Sequence, residues 1–260
     1  MKFLCCLIAL ITGSIVCAQD MPLSQILIPG EGWKKVEGEF KPIRYLTSYD
    51  GKTVQIWDEK YKLQGSVDAG TGKAVTQTLD GALQSDQFTI SPSQTLIINR
   101  QEKSARILSD AKGPPAISIK LPVTELGAAW VTSNKGMLLI GDAGGRNVWT
   151  YRIGPEGLSG GEKYMTLFVP KGETRSEASD IRIDPAGRFV VATKEGIQFF
   201  DPTGRLCGVL SKPSKQRPTS IVFSGPQLDI LFMACGSEIY YRVMQTKGVA
   251  PVEKKKGPAI

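Results

Sequence analysis

Histidine is absent from all 260 residues. That absence excludes a Ser-His-Asp triad, a Cys-His pair and any histidine-ligated zinc site within the chain. Acid–base work would fall to Asp, Glu, Lys, Tyr or a metal-bound water. Helical periodicity is also scarce. "LPVTELGAAW" (121–130) is the one stretch that invites a helix, and Pro122 and Gly127 weaken it. After Ala18 there is no further apolar run long enough to cross a bilayer. No long basic helix with interleaved aromatics occurs, so nucleic acid is not an expected partner.

The N-terminus carries a targeting pattern. Lys2 opens it, "FLCCLIALIT" (3–12) is an apolar run too short to span a membrane, and "SIVCAQD" (14–20) offers small residues for cleavage after Ala18. A lipoprotein signal retaining Cys17 is the rival reading, and Val16 before that cysteine matches it poorly. Residues 1–18 are therefore expected to be a signal peptide, and the protein to be exported, to the periplasm or beyond the cell. Cleavage would leave Cys207 and Cys235, either as a disulfide or as two small buried hydrophobes. The formal net charge is +7, part of it in Lys247, Lys254, Lys255 and Lys256. Residues 249–260 read as a disordered basic tail.

Five segments share one pattern, an Asp or Ser, a short turn and then an apolar β-rich run. They are "DGKTVQIWD" from Asp50, "SPSQTLIINR" from Ser91, "SNKGMLLIGD" from Ser133, "DPAGRFVVAT" from Asp184 and "SGPQLDILFMA" from Ser224, at spacings of 41, 42, 51 and 40 residues. Apolar strands precede most of these turns, and third strands such as "ARILS", "VWTYRI", "GIQFFD" and "EIYYRV" follow them. A period near forty filled only with strands predicts an all-β propeller over residues 19–248, with ligand-binding loops at one mouth of a central channel. The last unit is expected to be completed by a strand near "GWKKVEGEF" (32–40), removing the exposed sheet edges. A WD-repeat scaffold is disfavoured, because "QIWD" (55–58) holds the only Trp-Asp dipeptide and histidine is absent.

Longer ordered segments carry a family likeness: "LIPGEGWKKV" (27–36), "MLLIGDAGGRNVWTYRIGPEG" (137–157), "DIRIDPAGRFVVATKEGIQFFDPTGRL" (180–206) and "RPTSIVFSGPQLDILFMACGSEIYYRVMQTKGV" (217–249). On these the chain resembles the gluconolactonase/regucalcin-like β-propellers. The resemblance implies six blades and a divalent metal, usually calcium, held by a Glu, an Asn and an Asp at the starts of inner strands. It also implies that the Asp acts as base in hydrolysing a sugar lactone. Carried over residue by residue, the Glu falls at Ile43 or Arg44, the Asn at Gly127 and the Asp at Ser179, with Asp180 displaced by one position. A further polar position of the family becomes Asp86.

Calcium takes six to eight oxygens, and this set supplies few. No cofactor is expected, unless the family site survives and holds calcium. If lactone hydrolysis persists, Asp180 is its expected catalytic residue, with Asp86, Arg44, Ser179 and Ser220 as expected substrate contacts. The alternative is a non-catalytic exported propeller binding a small molecule or protein at the channel mouth. Arg44, Arg175 and Arg182 are candidate rim cations there for an anionic ligand, the alternative being solvated surface arginines. A monomer is expected.

Overall fold

The computed structural model describes residues 23–75, 83–109, 117–249 and 254–256; the signal-peptide expectation lies outside the described residues. Helix among them is limited to one 3-10 turn, Leu23–Gln25. "LPVTELGAAW" is not helical, since its second half forms a strand.

The first strand, β1 (Lys34–Lys35), stands apart from its sequence neighbours. The first blade is β2 (Ile43–Thr47), β3 (Thr53–Asp58), β4 (Leu63–Asp68) and β5 (Ala74–Val75), paired in that order. The second is β6 (Leu83–Ser91), β7 (Gln94–Asn99), β8 (Ser104–Ser109) and β9 (Ile119–Lys120). The third is β10 (Leu126–Val131), β11 (Met137–Asp142), β12 (Asn147–Gly154) and β13 (Gly157–Thr166). The fourth is β14 (Asp180–Ile183), β15 (Phe189–Thr193), β16 (Gly196–Phe200) and β17 (Leu206–Ser211). The fifth is β18 (Pro218–Ser224), β19 (Ile230–Cys235) and β20 (Glu238–Val243), completed by β1. The described residues thus form a five-bladed propeller, not the six-bladed one that the family resemblance implies.

Each recurring turn joins the first strand of a blade to its second. In the fourth blade Asp184 accepts hydrogen bonds from the Ala186 and Arg188 amides at 2.9 Å, and Gly187 takes the left-handed φ of +79° that closes the turn. Ring closure follows from β1, which pairs Lys34 with Tyr241 and Lys35 with Tyr240. The fifth blade also meets the first directly: the Leu46 amide donates to Ser220 Oγ at 3.0 Å, and the Ser48 and Ser224 hydroxyls lie 2.8 Å apart.

Packing between blades uses the alternation of the strands. Phe88, Leu96, Val131 and Leu138 join the second and third blades. Leu139, Val148, Ile181 and Phe200 join the third and fourth. Phe199, Ile197, Ile221 and Met233 join the fourth and fifth. Val54, Ile56, Val222 and Phe232 join the fifth and first. Each such buried side chain contributes about 1.5–3 kcal/mol relative to exposure. Of the stretch expected to be a disordered tail, Lys254–Lys256 form β21, which pairs antiparallel with β6; residues 250–253 and 257–260 lie outside the described residues.

Candidate functional site

The inner strands β2, β6, β10, β14 and β18 ring the channel. At its mouth a cavity of about 10 Å³ is lined by Arg44, Tyr45, Tyr61, Arg100, Ala129, Ser179, Asp180 and Thr219. These residues come from all five blades. Arg44, Ser179 and Asp180, singled out from the sequence, are brought together here. Ile43 turns the other way and packs in the core between the fifth and first blades, so Arg44 is the residue of that pair that faces the channel.

Asp180 is 1 % exposed, and both its oxygens are engaged. Oδ2 accepts from Ser220 Oγ at 2.6 Å and from the Ile221 amide at 3.0 Å. Oδ1 accepts from the Ile181 amide at 2.9 Å and from Arg182 Nη1. Two residues apart on one strand, Asp180 and Arg182 share a face, which is how the pair forms. Arg182 is itself buried. Its guanidinium carbon sits 4.4 Å from the Trp130 ring centroid and 5.7 Å from that of Tyr45. Burial works to lower the Arg182 pKa, and Asp180 and Tyr45 outweigh it, so the net shift is upward.

Asp86 meets a different arginine. Arg100 Nε donates to both carboxylate oxygens at 2.9 Å, while its Nη1 donates to the Leu126 and Gly127 carbonyls at 3.1 and 2.8 Å. The guanidinium therefore covers the Leu126–Gly127 backbone, where the family resemblance would place an asparagine. Gly127 admits no side chain: a Cβ there would lie 2.0 Å from the Ala178 carbonyl oxygen. Arg44 donates through Nε to the Tyr61 hydroxyl at 3.4 Å. Burial opposes the charge on Arg44, but Tyr61, Asp86 and Asp180 raise its pKa on balance.

Ser220 lies beneath the mouth, fully buried, where it bridges Asp180 and the Leu46 amide. Arg175 is exposed and paired with Glu125 on the rim loops. Arg100 and Tyr61 were not singled out from the sequence. Arg100 ends an apolar strand, with no more signal than a lone surface arginine. Tyr61 occupies the β3–β4 hairpin, held by Asp58, at a left-handed φ of 57° unusual for a bulky residue.

A calcium ion does not fit this residue set. Each carboxylate is taken by a guanidinium, Arg44 adds a further positive charge, and no cluster of three or more His, Cys, Asp or Glu side chains suited to a metal occurs among the described residues. Larger clefts lie away from the mouth. One of about 340 Å³ at the far ends of β10 and β14 is lined by Trp130, Asn134, Asp184 and Phe189. Another of about 510 Å³ beside the third blade is lined by Arg146, Trp149 and Lys163. Cys207 and Cys235 are free thiols; Cys235 is buried, and burial pushes its pKa up to about 12.

Blades of four short antiparallel strands around a polar channel define a β-propeller. Within that class, residues 127–237 match the family described as the SMP-30/Gluconolactonase/LRE-like region. The match covers the third and fourth blades and the first two strands of the fifth, so over that part the chain is similar to this gluconolactonase/regucalcin-like family. No curated protein matches it. Among solved structures it is similar to a luciferin-regenerating enzyme, at 15 % identity over 87 % of this chain and 100 % of that one, with a TM-score of 0.62. It is similar to a calcium-binding protein, regucalcin, from Agrobacterium tumefaciens at 11 % identity over 85 % and 98 %, with a TM-score of 0.58. A gluconolactonase from Xanthomonas campestris is 11 % identical over 84 % and 91 %, with a TM-score of 0.54. At these identities the likeness is one of fold.

Proposed function

We propose that this chain is an exported, non-catalytic member of its family, a propeller that has given up calcium-dependent lactone hydrolysis and binds a ligand or protein partner at the channel mouth. One observation carries the reading: both mouth carboxylates, Asp86 and Asp180, are neutralised by arginines of the same chain. Asp180 accepts four hydrogen bonds and Asp86 is bridged by one guanidinium, which leaves both poorly placed to accept a proton or a metal. Room adds support. The mouth cavity of about 10 Å³ holds roughly one water-sized atom, far less than a lactone ring. Export rests on the leader pattern of residues 1–18.

The test is hydrolysis of a panel of sugar and aliphatic lactones with calcium added, together with melting in EDTA. No turnover above the solvent rate and a melting temperature indifferent to EDTA are expected. Calcium-dependent turnover, or a clear drop in melting temperature with chelator, overturns the proposal. N-terminal sequencing of the protein recovered outside the cytoplasm tests export, with Gln19 expected as its first residue.

A further inference from the structure

We propose that the channel mouth holds a single small monoanion, of halide size, against Arg44. The site that the resemblance assigns to a cation is thereby reversed in polarity. This rests on the metal-free reading above. The argument begins with charge. Arg44, Arg100 and Arg182 face two carboxylates, Asp86 and Asp180, and each carboxylate is claimed by a different arginine. Arg44 is left with one side-chain hydrogen bond, to the Tyr61 hydroxyl at 3.4 Å. A phenol can orient a guanidinium and cannot neutralise it. Asp86 and Asp180 reach Arg44 only at a distance, each being paired with another arginine, so three guanidiniums stand against two carboxylates; an anion beside Arg44 offsets the excess charge.

Donor geometry points the same way. Ser179 Oγ and Thr219 Oγ1 line the cavity together with Arg44, and each spends its proton on a long bond, 3.5 Å to the Ala192 carbonyl and 3.4 Å to the Ala234 carbonyl. Bonds of that length are weak, so both hydroxyls are available to turn toward an anion. Arg44 Nη1 and Nη2 have no hydrogen-bond partner among the described residues. The result is a ring of donors with no uncommitted carboxylate. Size selects the ligand. About 10 Å³ is close to the lower limit for one water, so a halide enters only as the Ser179 and Thr219 hydroxyls turn toward it, and the carboxylate of a sugar acid together with its chain is excluded. Water would meet the hydrogen bonds but not the charge.

The experiment uses the full mature chain. Its melting temperature is measured in sodium chloride, in sodium bromide and in sodium gluconate at equal ionic strength, and again with calcium gluconate added. Crystals soaked in bromide are examined at the bromine absorption edge. Halide is expected to raise the melting temperature by about 3–5 °C over gluconate and to saturate, with an anomalous peak beside the Arg44 guanidinium. Arg44→Gln is expected to lose the halide-dependent part alone, and Arg44→Lys to keep it. Equal melting in halide and gluconate, or bromide absent from the mouth, overturns the anion. If calcium stabilises the chain instead, the metal-free reading falls with it; if neither ion acts, only the anion proposal falls. The bromide map decides even where a variant fails to fold.

Discussion

The propeller is held together differently around its circumference. Four interfaces, from the second blade round to the first, are closed by clusters of buried apolar side chains. Between the first and second blades no such shared cluster occurs among the described residues. The first blade gathers Tyr45, Trp57 and Leu63 into a small cluster of its own. At the mouth it presents Arg44 and Tyr61, and the second blade offers Arg100, which is paired with Asp86. Strand β21 runs beside β6 on that blade. A ring of identical wedges would need equal apolar faces throughout. This one has no shared apolar cluster at one seam among the described residues and sets Arg44, Tyr61 and Arg100 at the mouth, so stability and recognition are drawn largely from different parts of the circle.

Substitutions should expose that asymmetry. Phe199→Ala, in the cluster between the fourth and fifth blades, is expected to cost about 3–5 kcal/mol in denaturant unfolding. Asp180→Ala strands the buried Arg182 and is expected to cost about 3–5 kcal/mol as well. Asp180→Asn, keeping shape without charge, separates lost pairing from lost packing. Gly127→Ala must displace the Ala178 carbonyl, and is expected to cost about 1–3 kcal/mol by the same measurement. Asp86→Asn at the seam breaks a partly exposed pair and is expected to cost about 1 kcal/mol. A seam substitution as damaging as Phe199→Ala would erase the distinction between the regions.

Alkaline pH sharpens the comparison more gently. Cys235 packs between the fourth and fifth blades, and burial raises its thiol pKa from 9.0 to about 12. The folded state therefore holds this proton more tightly than the unfolded one. That contribution is fully present below pH 9 and is lost as pH climbs toward about 12. Cys235→Ala is expected to flatten the decline, as read from melting temperature between those limits; an unchanged slope would show that other groups govern it.

The blades were legible in the sequence because their cues are local. Asp184 and Gly187 mark a turn, alternating apolar residues mark the strands beside it, and a lone Lys34–Lys35 strand completes the fifth blade. Blade number was less legible, since six was borrowed from the family resemblance and the chain itself repeats five times. The mouth was half legible. Arg44, Ser179 and Asp180 lie where inner strands begin, so alignment of the repeats finds them. Ser220 also begins an inner strand, yet its side chain is buried beneath the mouth, where it bridges Asp180 of the fourth blade and the Leu46 amide of the first. Arg100 and Tyr61 reach the mouth from a strand end and a hairpin tip, and only the closed ring brings them there. Arg182 reads as a rim cation but is folded inward against Trp130.

The central claim is that arginines stand where the family resemblance expects a metal. Calcium content settles it most directly: the protein is equilibrated with excess calcium, passed through a desalting column and analysed for bound metal by mass spectrometry. No stoichiometric calcium is predicted. One calcium per chain, lost on Asp86→Asn or Asp180→Asn, would contradict the account.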